Sequence, residues 1–233
     1  MPIKYEPWDI FFSDFETGDI ILMHGLFDSS IFIEKITKSH WSHAAVIAIS
    51  DDLGINTVSS GSVLLWESNI KDGKNDNPNN LAVYDVLSGV PKDGPILDLL
   101  KERITNNYAL GYDKDVAKRK LYYKRTHEMF ATFNNVIQNV HNDGFPEIPW
   151  GEMTHFIEGR LANEPVTDNT FICSQLVAHT YKAFGLLPDT WVDNFYEPAN
   201  FADGSSDFPL LNEARLGPEI RLDLTTIPPY PGF

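Results

Sequence analysis

Cysteine is almost absent from this chain: among 233 residues there is one, Cys173. A single thiol excludes an intramolecular disulfide framework and any cysteine-built zinc or iron–sulfur site. Bases are scarce as well. Eighteen Lys and Arg stand against 33 Asp and Glu, a formal net charge of −15, which argues against a nucleic-acid partner because such a partner needs a basic footprint. Long apolar runs are missing: the strongest, such as residues 44–49, span about six residues, whereas a bilayer helix needs about 20. Met1-Pro2-Ile3-Lys4 leads into a mixed polar and aromatic stretch rather than a secretory apolar core, and Pro2 stands where N-myristoylation requires Gly. Neither G-x-G-x-x-G nor a Walker sequence nor a G-x-S-x-G elbow occurs. The expectation is a soluble cytoplasmic protein with no transmembrane segment, compatible with peripheral membrane contact.

What is present suits a folded core. Hydrophobic residues make up 42% of the chain and aromatics 12%, too apolar for a disordered polymer. The length fits one domain. The first half has strand character. Asp19 to Met23 follows the turn residues Thr17-Gly18. His43 to Ile49 is continuous enough to be buried on both faces, and Ser62 to Ser68 and Leu81 to Leu87 read as two further strands. Residues 29–38 suggest a short helix, and Asn69 to Asn80 an exposed loop. The second half has helical spacing over Pro95 to Arg103, over 117–141 and over Cys173 to Phe184, the last closed by Gly185 and Pro188. Residues 142–170 read mostly as loop, with a turn of helix near Met153 to Glu158. The tail after Pro198 is expected to wrap the surface. Strands early and helices late predict an α+β domain over 1–233, with a helical elaboration around 95–142 and a C-terminal extension from about 198.

Charge is uneven. Residues 126–233 hold four bases against 15 acids. Just before them, Lys114, Lys118, Arg119, Lys120, Lys124 and Arg125 cluster, either as a solvated helix face or as an anionic headgroup or phosphate site.

Three residues could carry chemistry. Cys173 opens a helix, where the macrodipole and free N–H groups lower a thiol's pKa and could hold an oxyanion. Taken alone it reads rather as a buried structural cysteine. His43 lies at the mouth of the most apolar strand, where an imidazole needs a partner such as a thiolate or is a satisfied core histidine. Glu67 follows the apolar run Val63 to Trp66 and could orient an imidazole. Asp85 and Glu147 are weaker candidates for that role. His40 and His43 lack a third metal ligand at suitable spacing, and the even intervals of His127, His141 and His155 read as coincidence.

These pieces together resemble a known family. Thr17-Gly18-Asp19-Ile20 comes first, then Trp41-Ser42-His43-Ala44-Ala45-Val46, then Leu64-Leu65-Trp66-Glu67-Ser68, and much later Phe171-Ile172-Cys173-Ser174-Gln175-Leu176-Val177. The set is similar to the circularly permuted papain-like amidases of the YiiX/YaeF/YebB type, relatives of NlpC-type murein peptidases and of the lecithin:retinol acyltransferase group. The resemblance spans residues 17–187. It implies a permuted papain-like (NlpC-like) fold, an antiparallel sheet packed on helices, with the order His, acid, Cys. It implies a catalytic set of Cys173, His43 and Glu67, no metal or organic cofactor, and an acyl substrate that is a small molecule, a lipid or a peptide. The expected activity is that of a thiol hydrolase cleaving an amide or ester through an acyl-enzyme. The alternatives are a lipid acyltransferase and a non-catalytic lipid- or peptide-binding module on the same fold.

Overall fold

A computed structural model describes residues 3–25, 39–69, 84–109, 111, 113–145, 170–204 and 209–229. The described residues form nine strands: β1 Lys4–Glu6, β2 Ile20–Gly25, β3 His43–Ile49, β4 Val63–Asn69, β5 Gly94–Leu99, β6 Asp113–Arg119, β7 Leu121–Tyr122, β8 Arg215–Leu216 and β9 Ile220–Leu222. The α-helices among the described residues are α1 Trp8–Phe11, α2 Ser50–Leu53, α3 Leu100–Ala109, α4 His127–Val140 and α5 Cys173–Ala183. Seven strands make one sheet in the order β1-β9-β6-β2-β3-β4-β5, antiparallel except for the β1/β9 edge, while β7 and β8 pair separately. The architecture is therefore mixed α and β, as the sequence predicts. No helix among the described residues is long and apolar enough to cross a membrane.

Strand alternation sorts the core into two faces. In β3, Ala44, Val46 and Ala48 join Leu64 and Trp66 of β4 under α4 and α5. The intervening Ala45 and Ile47 join Leu65, Leu100, Ile104 and the Trp8–Phe15 aromatics on the other face. β3 is thus apolar from Ala44 to Ile49 because both of its sides are covered. Each large aliphatic side chain fully withdrawn from water there contributes about 1.5–3 kcal/mol.

The helix that begins at Cys173 is bounded as expected. Gly185 has φ +72°; its N–H bonds Lys182 O at 2.7 Å, and Leu186 N–H bonds Tyr181 O at 2.8 Å, the paired closure that ends a helix in a left-handed residue. Tyr181 Oη donates to Gly18 O at 2.6 Å, tying α5 to the Thr17-Gly18-Asp19 turn.

Several expectations are corrected. Pro95 to Leu99 is strand, not helix. Among the described residues β5 pairs only with β4, and an edge strand tolerates proline; helix begins at Leu100. Residues 84–87 form a turn rather than a strand, because Asp85 caps it through Ser88 N–H at 2.7 Å and accepts Leu97 N–H at 3.0 Å. Helix in 117–141 starts only at His127, behind the N-cap Thr126; residues 117–119 end β6 and Leu121–Tyr122 form β7. The tail supplies β9, which enters the main sheet between β1 and β6. The expectations for 29–38, for 70–80, for a helical turn at 153–158, and for Glu147 and His155, lie outside the described residues.

β6 also revises the basic cluster. Lys118 is buried, donating to Phe11 O and Asp14 and ion-pairing with Glu6 at 2.9 Å. Arg119 donates to the carbonyls of Gly217, Phe201 and Ala202. Lys120 and Arg125 both pair with the buried Asp19. Only Lys114 and Lys124 of the six are exposed. The cluster is an internal framework, neither a solvated helix face nor an anion site.

Gly94 opens β5 at φ +90°, and a Cβ there would lie 2.4 Å from Asp143 O. Its neighbour Gly144 bridges Thr170 and accepts Phe171 N–H at 3.1 Å, which sets the approach to α5. Gly94→Ala is therefore expected to lower stability by about 1–3 kcal/mol, measured by urea unfolding; an unchanged midpoint would contradict this packing.

Candidate active site

The site forms where β3 and β4 part. Their pairing runs from Ile49↔Val63 to Val46↔Trp66 and stops. In this antiparallel register the next hydrogen-bonded pair would be Ala44 with Ser68. That pair is not made. The N-terminus of α5 occupies the gap, and the Ala44 N–H bonds the Cys173 sulfur instead. The Ser42 carbonyl, on the same side of the strand, lies 3.9 Å from the sulfur. On the β4 side, Ser68 Oγ donates to Phe171 O at 2.6 Å and fixes the residue two before the cysteine.

Cys173 is the first residue of α5 and only 6% exposed. The Ser174 N–H also bonds its sulfur. No acid lies in the first turn, so nothing there opposes the positive end of the helix dipole. Gln175 caps the helix by accepting Ile172 N–H at 3.3 Å.

His43, the first residue of β3, places its Nε2 2.5 Å from Glu67 Oε2. Its side chain also hydrogen-bonds the Cys173 sulfur. With Nε2 engaged by Glu67, the ring nitrogen left for sulfur is Nδ1. Glu67 is fully buried and accepts a second bond, from Arg103 Nε at 2.7 Å. Arg103 comes from α3, one turn after the end of β5.

The electrostatics follow from this chain of contacts. Burial works against an imidazolium, but the Cys173 sulfur and then the Glu67 carboxylate outweigh it and hold His43 at about 10. Burial likewise pushes the thiol up. The His43 imidazolium, followed by the Ala44 and Ser174 N–H groups, overcomes it and brings Cys173 below an ordinary thiol. Glu67 stays well below the usual carboxylate range because Arg103 and then His43 offset its burial. Relative to the free groups, the arrangement therefore favours the charged forms of Cys173 and His43, backed by a carboxylate and a guanidinium.

The structure brings together Cys173, His43 and Glu67. Asp85 goes elsewhere: it accepts from His141 at 3.0 Å across the β5 turn. His40 bonds Asp115 at 2.9 Å and stacks on His24, and His127 is exposed at the start of α4. Among the described residues no group of three or more His, Cys, Asp or Glu could hold a metal ion. Sequence reasoning missed Arg103 and Asp98, both buried beside Glu67. Asp98 interrupts the apolar run Pro95 to Leu100, but Arg103, beside Lys101 and Glu102, carries no such signal, and neither residue's link to Glu67 shows in the sequence.

No family model matches the chain, and no curated protein matches it. Among solved structures it is similar to the metalloprotein yiiX from Escherichia coli O157:H7, at 16% identity and a TM-score of 0.45, over 73% of this chain and 67% of that one. That likeness is confined to a mixed α and β architecture, and no residue role is carried over from it.

Removing Arg103 leaves Glu67 buried without its fixed positive charge. Arg103→Ala is expected to destabilise the protein by about 3–5 kcal/mol at neutral pH. Because the folded pKa of Glu67 is depressed, the stability it contributes is present above the ordinary carboxylate value and is lost as pH falls through the folded value. The gap between wild type and variant should therefore narrow in acid. Urea titrations across pH check this, and a gap independent of pH would contradict it.

Proposed function

We propose that this protein is a thiol hydrolase of the circularly permuted papain-like type, cleaving an amide or ester bond through an acyl-enzyme on Cys173. The observation that supports it is the buried relay from the Cys173 sulfur through His43 to Glu67 and Arg103, with the thiol lowered and the imidazole raised. A merely structural cysteine in apolar surroundings has its pKa pushed up, not down. The order along the chain, His43, Glu67, Cys173, is the permuted order.

The cycle starts from the thiolate. Cys173 Sγ attacks the carbonyl carbon, and the C=O π electrons move to oxygen. That oxyanion develops at the N-terminus of α5, where the first amides have no partner within the helix; the Cys173 N–H is one donor. His43 gives its Nδ1 proton to the departing amine or alkoxide as the carbon–heteroatom bond breaks, leaving a thioester. Neutral His43 then takes a proton from water and becomes the imidazolium again as the hydroxide adds to the thioester, and collapse breaks the carbon–sulfur bond, releasing the carboxylic acid and the thiolate. Glu67 keeps Nε2 protonated and the ring aligned throughout. An amine or alcohol in place of water would give transfer by the same steps. The substrate class is an acyl compound, whether a small molecule, a peptide or a lipid.

The test is capture of the acyl-enzyme. The protein is mixed with p-nitrophenyl esters and N-acyl p-nitroanilides of graded chain length, quenched in acid and analysed by mass spectrometry. One acyl group should appear on Cys173, and none in Cys173→Ala. His43→Ala should lower the acylation rate on the order of 10²-fold or more, and Glu67→Gln by less. Full-rate acylation in His43→Ala, or no adduct with any probe, would contradict the proposal.

A further inference from the structure

Asp98 is an acid in a place that offers it no donor. It lies in β5 opposite Leu65, while Glu67 lies opposite Ile96. Asp98 and Glu67 are therefore diagonal neighbours on one face of the sheet. Asp98 is 1% exposed, and neither of its carboxyl oxygens meets an N–H or O–H donor among the described residues. The charged groups that act on it are Glu67, in hydrogen-bond contact, then Arg103 from α3 and His43 from β3. Arg103 turns its Nε to Glu67 instead.

Two carboxylates in that contact would repel each other with no water between them. A carboxylic acid that keeps its proton turns the same contact into an O–H···O⁻ bond, among the stronger kinds. Burial and then the neighbouring Glu67 push Asp98 well above the usual carboxylate range. Glu67 has room for this bond. Its oxygens accept from His43, from Arg103 and, at 3.4 Å, from Asn69, and a carboxylate offers about four acceptor sites. Charge also balances: Cys173 with His43, Glu67 with Arg103, and Asp98 neutral.

We infer that Asp98 is a positioning residue whose O–H donates a hydrogen bond to Glu67 and fixes the orientation in which that carboxylate holds His43. The inference rests on the reading of Cys173 and His43 as the catalytic pair. Asp98 acts through Glu67, which is then held from β5 as well as from α3.

The protonated state has a consequence of definite sign. Above the ordinary carboxylate range the unfolded chain loses the Asp98 proton and the folded protein keeps it, so this site makes the wild type less stable as pH rises toward its folded value. Asp98→Asn has an N–H donor in place of the O–H and no proton to lose. Thermal melts of both proteins between pH 4 and pH 8 should show a difference that moves in favour of the Asn variant as pH rises. A flat or opposite trend would mean that Asp98 is ionised, and the inference would be overturned. This arm needs only the well-folded Asn variant.

The second arm is the rate of iodoacetamide labelling at Cys173 over the same range. Asp98→Leu fills the volume without a donor and should label about tenfold more slowly at pH 6, equivalent to about one pKa unit at the thiol. Asp98→Asn should restore most of that rate. An Asp98→Leu protein that melts cooperatively and labels like the wild type would reduce Asp98 to packing and overturn the positioning role. A wild type that labels as an ordinary thiol would locate the failure in the parent reading before any Asp98 variant is compared, and the inference would fall with it.

Discussion

The site depends on a negative charge held where water does not reach. Glu67 is fully buried, and a carboxylate in that setting without a cation would simply take up a proton. Arg103 prevents this because a guanidinium does not titrate in the accessible range. With Glu67 fixed as an anion, an imidazolium at His43 becomes favourable despite its own burial, and with the imidazolium present so does a thiolate at Cys173. Each charge in the series is tolerated because of the next. Arg103 is the one member whose charge needs no partner to exist.

Backbone geometry carries that series from one face of the sheet to the other. α5 packs on the face lined by Ala44, Val46 and Trp66, whereas Glu67 and Arg103 belong to the opposite face. A continuous β3/β4 ladder would separate them. The pairing stops at Val46↔Trp66, and the amide released by that interruption, Ala44 N–H, becomes a donor to sulfur. The gap thus brings His43 and Cys173 into contact and supplies a hydrogen bond to the thiolate.

Much of this was legible in the amino-acid sequence, for identifiable reasons. β3 and the Cys173 helix were readable because their apolar periodicity and terminal residues agree with their surroundings. His43 and Cys173 were readable as polar groups at the starts of such elements, and Glu67 as a carboxylate after the apolar run of β4, which continues past it to Asn69. Strand β6 was not: Asp-Lys-Asp-Val-Ala-Lys-Arg has the composition of an exposed segment. It is a strand because Glu6, Asp14 and backbone carbonyls, distant in sequence, neutralise Lys118 and Arg119. β5 was hidden by Pro95 and by leucines whose spacing also fits a helix. Arg103 and Asp98 were illegible as site residues because only the β4/β5 register and the turn into α3 bring them to Glu67. Local propensity shows where an element is self-consistent, and long-range charge pairing overrides it where it is not.

The central claim is that Cys173 is a thiolate paired with a His43 imidazolium at neutral pH. The most direct test is the pH dependence of Cys173 alkylation in the wild type and in His43→Ala, where the single cysteine makes every adduct report on the site. The account predicts rapid labelling of the wild type well below the ordinary thiol value of about 8.5, and loss of that low-pH labelling in His43→Ala. Labelling that follows an ordinary thiol curve in both proteins would contradict it.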